Sequence, residues 1–109
     1  MNDAARNADE YVGDHPPLRE GAVVRVLTIC NRKGLHARAS ARFVQTVENF
    51  DADVRVMRGS EVVGGTSIMG LMMLAAGPGS KLTIHADGHD ASAALAELEA
   101  LMKRKFDEE

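Results

Sequence analysis

The strongest constraint on the fold is an alternation of short periodic runs cut by glycine-rich breaks. Val23 to Cys30 is dense in β-branched residues and reads as a strand. Asn31-Arg32-Lys33-Gly34 is a loop, in which Gly34 can take a positive φ. Residues 37–50 place Phe43, Val44, Val47 and Phe50 three and four apart, which predicts a helix with one apolar side. Ala52 to Arg58 alternates, turns at Arg58-Gly59-Ser60 and continues into Glu61-Val62-Val63, the pattern of a hairpin. A short Met-rich helix over 67–75 stops at Gly77-Pro78-Gly79. Lys81 to Ala86 is the fourth strand. Asp90 is expected to cap a long helix from Ala91 to about Phe106, with Ala94, Leu98, Leu101 and Met102 as its stripe.

The order βαββαβα predicts an α+β fold: a four-stranded antiparallel sheet with three helices on one face. Thr83 and His85 fit a polar outer face. At 109 residues the chain has room for a single domain. Its net charge of −3 is unevenly placed. Residues 1–20 carry five acids against two bases and lack periodicity, so they are expected to form a flexible acidic extension. Residues 21–109 form the folded domain, with 11 bases and 11 acids.

Several function classes fall away. A neutral domain offers no bulk field for nucleic acid. Cys30 stands alone, so neither an intrachain disulfide nor a cysteine zinc site can form. His85 and His89 lie on a strand end and a loop, which is not a metal pattern, and no metal or cofactor is expected. The N-terminus lacks a secretory apolar core, and no run approaches a membrane span. A cytoplasmic protein that does not insert into membranes is the expectation. There is no P-loop or dinucleotide fingerprint.

Inside the neutral domain, Arg32, Lys33, Arg38 and Arg42 fall within eleven residues that contain no acid. His36 lies in their midst, at about the N-cap of the first helix. Helix-start N–H groups lack intrahelical partners, and the dipole adds positive potential. An anion is favoured there, and Arg38 can reach the same point. A neutral imidazole at this place can act as a phosphoryl nucleophile. On spacing alone, a solvated loop with a capping histidine is the blander alternative.

Gly34-Leu35-His36-Ala37-Arg38 closely resembles the active-site motif of the HPr family, histidine phosphocarriers of the phosphoenolpyruvate-dependent phosphotransferase system. Ser67-Ile68-Met69-Gly70-Leu71-Met72 resembles that family's regulatory-serine signature, in the same order and spacing. The resemblance covers about 22–106 and implies an open-faced β-sandwich. It implies that His36 accepts a phosphoryl group on Nδ1 from enzyme I and passes it to an EIIA-type protein, with Arg38 binding the phosphate. It implies a carrier rather than a turnover enzyme, acting as a monomer. Two positions depart from the family pattern. Ala39 stands where proline is usual, and Lys33 where Ser, Thr or Asn is common.

By pattern Ser67 is a helix N-cap. The resemblance adds a role as the target of an HPr kinase/phosphorylase. It also implies a docking patch of Ile68, Met69 and Met72 beside the histidine, with Ala41 and Arg42 contributing. Leu71 and Leu74 are expected to be the more buried. Three segments (Asn31-Arg32-Lys33-Gly34, Phe50-Asp51-Ala52-Asp53 and Phe106-Asp107-Glu108-Glu109) look like the nitrogen-related branch. Sugar uptake is the alternative. A serine-phosphorylated corepressor and a small-molecule regulatory domain are readings of other classes.

Overall fold

A computed structural model describes residues 22–108. The acidic extension expected over residues 1–20 lies outside the described residues. The elements are β1 (Val23–Thr28), α1 (Ala37–Val47), β2 (Asp53–Arg58), β3 (Glu61–Gly64), α2 (Ile68–Met73), β4 (Lys81–Asp87) and α3 (Ala91–Lys103). A single 3-10 turn, Lys105–Asp107, follows α3. The order is the predicted βαββαβα. The sheet runs β1-β4-β2-β3 with every neighbouring pair antiparallel.

Alternation along the strands sends one set of side chains under the helices. Val54 and Val56 of β2 and Leu82, Ile84 and Ala86 of β4 join Phe43, Val47, Leu71, Leu95 and Leu98 in a single buried cluster. α3 packs on β1 and β4, α1 packs on α2 and α3, and α2 packs on β3. The helices therefore lie on one face, as expected.

The other face is not the polar surface that Thr83 and His85 implied. The strand registers set Val26, Thr83, Met57 and Val62 in one row across it, and Val24, His85 and Arg55 in the next. Val24 and Val26, on the edge strand, are exposed, while Met57 and His85, on interior strands, are buried. A residue on an interior strand is flanked by directly opposed side chains on both sides, which shield it without a covering helix.

Helix ends also differ from the periodicity. α1 stops at Val47 rather than residue 50, because Asn49 N and Phe50 N turn back to the carbonyls of Thr46 and Val47. α2 is shorter than residues 67–75 and ends before Ala75, which takes φ 53°. Asp90 begins α3 but makes no side-chain cap bond. Its carboxylate instead accepts the Asp51 N–H at 2.8 Å and meets His89 Nδ1 at 3.0 Å. The backbone of Asp90 donates to Asp51 O as well, so this residue ties the α1–β2 turn to the start of α3.

The Asp51 N–H first, then His89, holds the Asp90 carboxyl below the usual aspartate range. A depressed folded-state value gives stability that is present above the unfolded value and lost as pH falls through the folded one. Asp90→Ala is therefore expected to lower Tm at pH 7, with the deficit shrinking as pH falls below the ordinary aspartate range. Thermal melts of both proteins from pH 7 to pH 2.5 check it, and a deficit constant with pH contradicts it.

Candidate functional site

The loop from β1 to α1 is held from below. Ile29 N donates to Ser80 O at 2.9 Å, Gly79 N to Ile29 O at 2.8 Å and Leu35 N to Ala76 O at 3.0 Å. Gly34 takes φ +65° and presses on the Ala76–Gly77 backbone, where a Cβ would strike the Ala76 carbonyl. A residue with no side chain is thus required on two counts. Leu35 is buried on the core side of the next bond, and His36 emerges at the start of α1.

His36 occupies the N-cap position in extended conformation (φ −77°, ψ −175°). Its carbonyl accepts the Ser40 N–H at 2.9 Å, closing the first turn. Its ring makes no cap bond, so the first-turn N–H groups are left to other acceptors. The ring is partly exposed. Nδ1 is 3.2 Å from Gly34 O, and Nε2 is 3.1 Å from Glu108 Oε2.

Around the ring lies an open cleft of about 410 Å³, lined by Arg32, Lys33, His36, Arg38 and Glu108. Three cations surround one imidazole, with Glu108 the one acid lining the cleft among the described residues. Converging positive charge at a helix start attracts a dianion and stabilises charge on a transferring phosphoryl group. Here the structure brings together His36, Arg38, Lys33 and Gly34, all named from the sequence. Ala39, at the position where proline is usual in the resembling family, is fully buried in the first turn of α1.

Ser67 is the N-cap of α2 and accepts the Gly70 N–H at 2.9 Å. Ser67 is exposed, and so are the adjoining Ile68, Met69 and Met72, whereas Leu71 and Leu74 are buried. Met73, absent from the predicted patch, is 72% exposed and extends it. α1 packs against α2, so this apolar surface and the histidine-bearing helix adjoin. Ala41 is half-buried. Arg42 is committed to the C-terminal turn, donating to Phe106 O at 2.8 Å and lying 3.5 Å from Asp107.

Two residues of the site were not singled out from the sequence. Asn31 is fully buried and donates to Gly34 O at 2.9 Å and Glu108 Oε1 at 3.0 Å. Glu108 reads as part of a solvated end, yet it sits against the ring. The only sequence signal for its return is Phe106, an aromatic too apolar for a free terminus. Among the described residues, no group of His, Cys, Asp and Glu could hold a metal ion, and no helix is long and apolar enough to cross a membrane.

A histidine at a helix start, with arginines beside it on an open-faced sandwich, defines the class of small phosphoryl carriers. Comparison with known proteins agrees. Residues 23–104 match the family described as "PTS HPr component phosphorylation site". The chain is 48% identical over 84 residues to the phosphocarrier protein HPr of Cupriavidus necator, covering 77% of this chain and 94% of that one. It is 42% identical over 84 residues to the phosphocarrier protein NPr of Shewanella violacea, covering 77% and 92%. The crystal structure of HPr-C-His from Thermoanaerobacter tengcongensis superposes with a TM-score of 0.76 at 37% identity, covering 80% of this chain and 98% of that one. The chain belongs to the HPr family of phosphocarrier proteins of the phosphotransferase system.

Gly34→Ala tests the architecture of the loop. The strained φ and the carbonyl contact together are expected to cost about 2 kcal/mol or more. Urea unfolding measures it, and a loss under about 0.5 kcal/mol would mean that the loop is not pressed on Ala76.

Proposed function

We propose that His36 accepts a phosphoryl group from phospho-enzyme I on Nδ1 and passes it to a histidine of an EIIA-type protein. The observation that carries this reading is the imidazole at the helix start, facing a cleft with Arg32, Lys33 and Arg38. Phosphoryl transfer asks a carrier for in-line positioning and charge stabilisation, and little else. Arg38 binds the phosphate, and Lys33 adds a second charge at the loop. Turnover chemistry stays with the partners, so this chain is a carrier with a phosphohistidine intermediate rather than an enzyme. It works as a monomer in the cytoplasm.

The acceptor is the EIIA-like regulator of the nitrogen-related branch. Asn31-Arg32-Lys33-Gly34 supports this, as does the likeness to a relative named NPr. The likeness to a relative named HPr favours sugar uptake as the second reading. The exposed Ile68, Met69, Met72 and Met73, with Ala41 at the margin, supply the docking surface. Flexible methionines let one face fit several partners. Arg42 acts on docking indirectly, by holding the C-terminal turn.

Ser67 is a regulatory site for an HPr kinase/phosphorylase. A phosphate there adds about −1.5 to −2 charge beside the apolar patch. A phosphoserine-dependent corepressor role would use the same exposed serine.

Incubation with phosphoenolpyruvate, magnesium and an active cognate enzyme I is expected to give acid-labile phosphate that disappears in His36→Ala. No label on the wild type contradicts the reading, and transfer assays with each EIIA type separate the branches. Ser67→Asp is expected to slow phosphorylation of His36 by enzyme I at least tenfold, equivalent to about 1.4 kcal/mol of docking or transition-state energy. Equal rates for Ser67→Asp and wild type would remove the regulatory role.

A further inference from the structure

The two sides of α2 do different work. Leu71 and Leu74 are buried and belong to the core cluster, where α2 packs against α1 and β3. On the solvent side, six large apolar side chains are exposed among the described residues, and four of them, Ile68, Met69, Met72 and Met73, lie on this one short helix. Three of those four are thioethers. Met69 and Met73, 70% and 72% exposed, stand four apart, and Met72, 40% exposed, stands three from Met69, so the side chains share one face. The other two methionines of the described residues are their opposites. Met57, flanked across the sheet by Thr83 and Val62, is 5% exposed, and Met102 in the core cluster is 2% exposed.

Methionine is an apolar side chain whose polarity a peroxide can change. The sulfur lone pair attacks one peroxide oxygen, and the S–O bond forms as the O–O bond breaks. The second oxygen leaves as hydroxide and takes the proton of the first, giving sulfoxide and water. Sulfur gives up two electrons and the peroxide gains them. The oxidant must reach the sulfur, so exposure selects Met69 and Met73 and spares Met57 and Met102. Sulfoxides at Met69 and Met73 point into water, and α2 stays packed through Leu71 and Leu74. A penalty arises only when a partner covers the patch, because the sulfoxide oxygen then enters an apolar contact as an acceptor without a donor.

We propose that Met69 and Met73 are an oxidation site, at which conversion to sulfoxide by a peroxide blocks docking and slows the phosphoryl relay without altering His36. The proposal rests on the reading of the α2 face as the docking surface. The change is reversible: a thiol-dependent sulfoxide reductase removes the oxygen as water while two thiols become a disulfide. Cys30 is the one other exposed sulfur among the described residues and would compete for oxidant. Its replacement by serine isolates the methionines.

The test treats the full Cys30→Ser chain with hydrogen peroxide, desalts it and maps the peptides by mass. One added oxygen on each of Met69 and Met73, with Met57 and Met102 unmodified, is expected. Oxygen gained at Met57 or Met102 as fast as at Met69 and Met73 overturns the site. Labelling of His36 by untreated enzyme I is then expected to slow about tenfold at limiting carrier, the scale of one unsatisfied polar group at an interface. The loss should appear as a rise in KM with kcat little changed and an unaltered thermal melt. Reductase with thiol should restore the rate. In Met69→Leu/Met73→Leu, on the same Cys30→Ser background, the rate is expected to be the same before and after peroxide, whatever its starting value. A merely structural effect would lower the melting temperature and would not be read in KM alone. Label at an unchanged rate on protein oxidised at both methionines, or a peroxide loss that persists in the double leucine variant, overturns this proposal alone. No label on the untreated protein overturns the carrier reading and this proposal with it.

Discussion

The contact between Gly34 and the Ala76 carbonyl is the joint on which the site depends. Leu35 N–H bonds that same carbonyl, and the missing side chain at Gly34 lets the two backbones close up. With Leu35 buried just after it, the chain has one direction in which to leave the sheet. That direction puts His36 at the N-cap of α1, at the positive end of the helix. Backbone hydrogen bonds and one glycine therefore fix where the imidazole leaves the loop.

The C-terminal turn is the counterpart on the other side of the ring. Three left-handed residues, Lys105, Phe106 and Asp107, cost roughly 1–2 kcal/mol each. Burial of Phe106 returns up to about 3 kcal/mol, and the Arg42 bond to its carbonyl helps to hold the turn. The turn carries the Glu108 carboxylate to the His36 ring. Local strain offset by neighbouring burial is a pattern that gathers at working sites. The same turn engages Arg42, which links the middle of α1 to the turn after α3.

Most of the fold was legible in the strings of residues because local preference and the final packing agree. β-branched runs became strands, three-and-four spacings became helices, and glycine pairs became breaks. The helix-start position of His36 and the capping bond of Ser67 were equally plain, since each is local. Misses arose where distant segments decide. Met57 and His85 are buried by cross-strand neighbours that only the register supplies. Asp90 was read as a cap, but its carboxylate bonds Asp51, 39 positions away. Asn31 and Glu108 are 77 positions apart and meet only because the chain reverses after Lys103. Helical periodicity cannot announce that reversal, because Phe106 falls in phase with the stripe of α3.

The central claim is that one ring nitrogen of His36, the one turned from Glu108 towards Gly34 O, carries the phosphoryl group. Phosphorus–nitrogen correlation NMR on the enzyme I-phosphorylated, nitrogen-15-labelled protein tests it most directly. Coupling of the phosphorus to His36 Nδ1 is the predicted result. Coupling to Nε2, or phosphate on any other residue, would contradict the account.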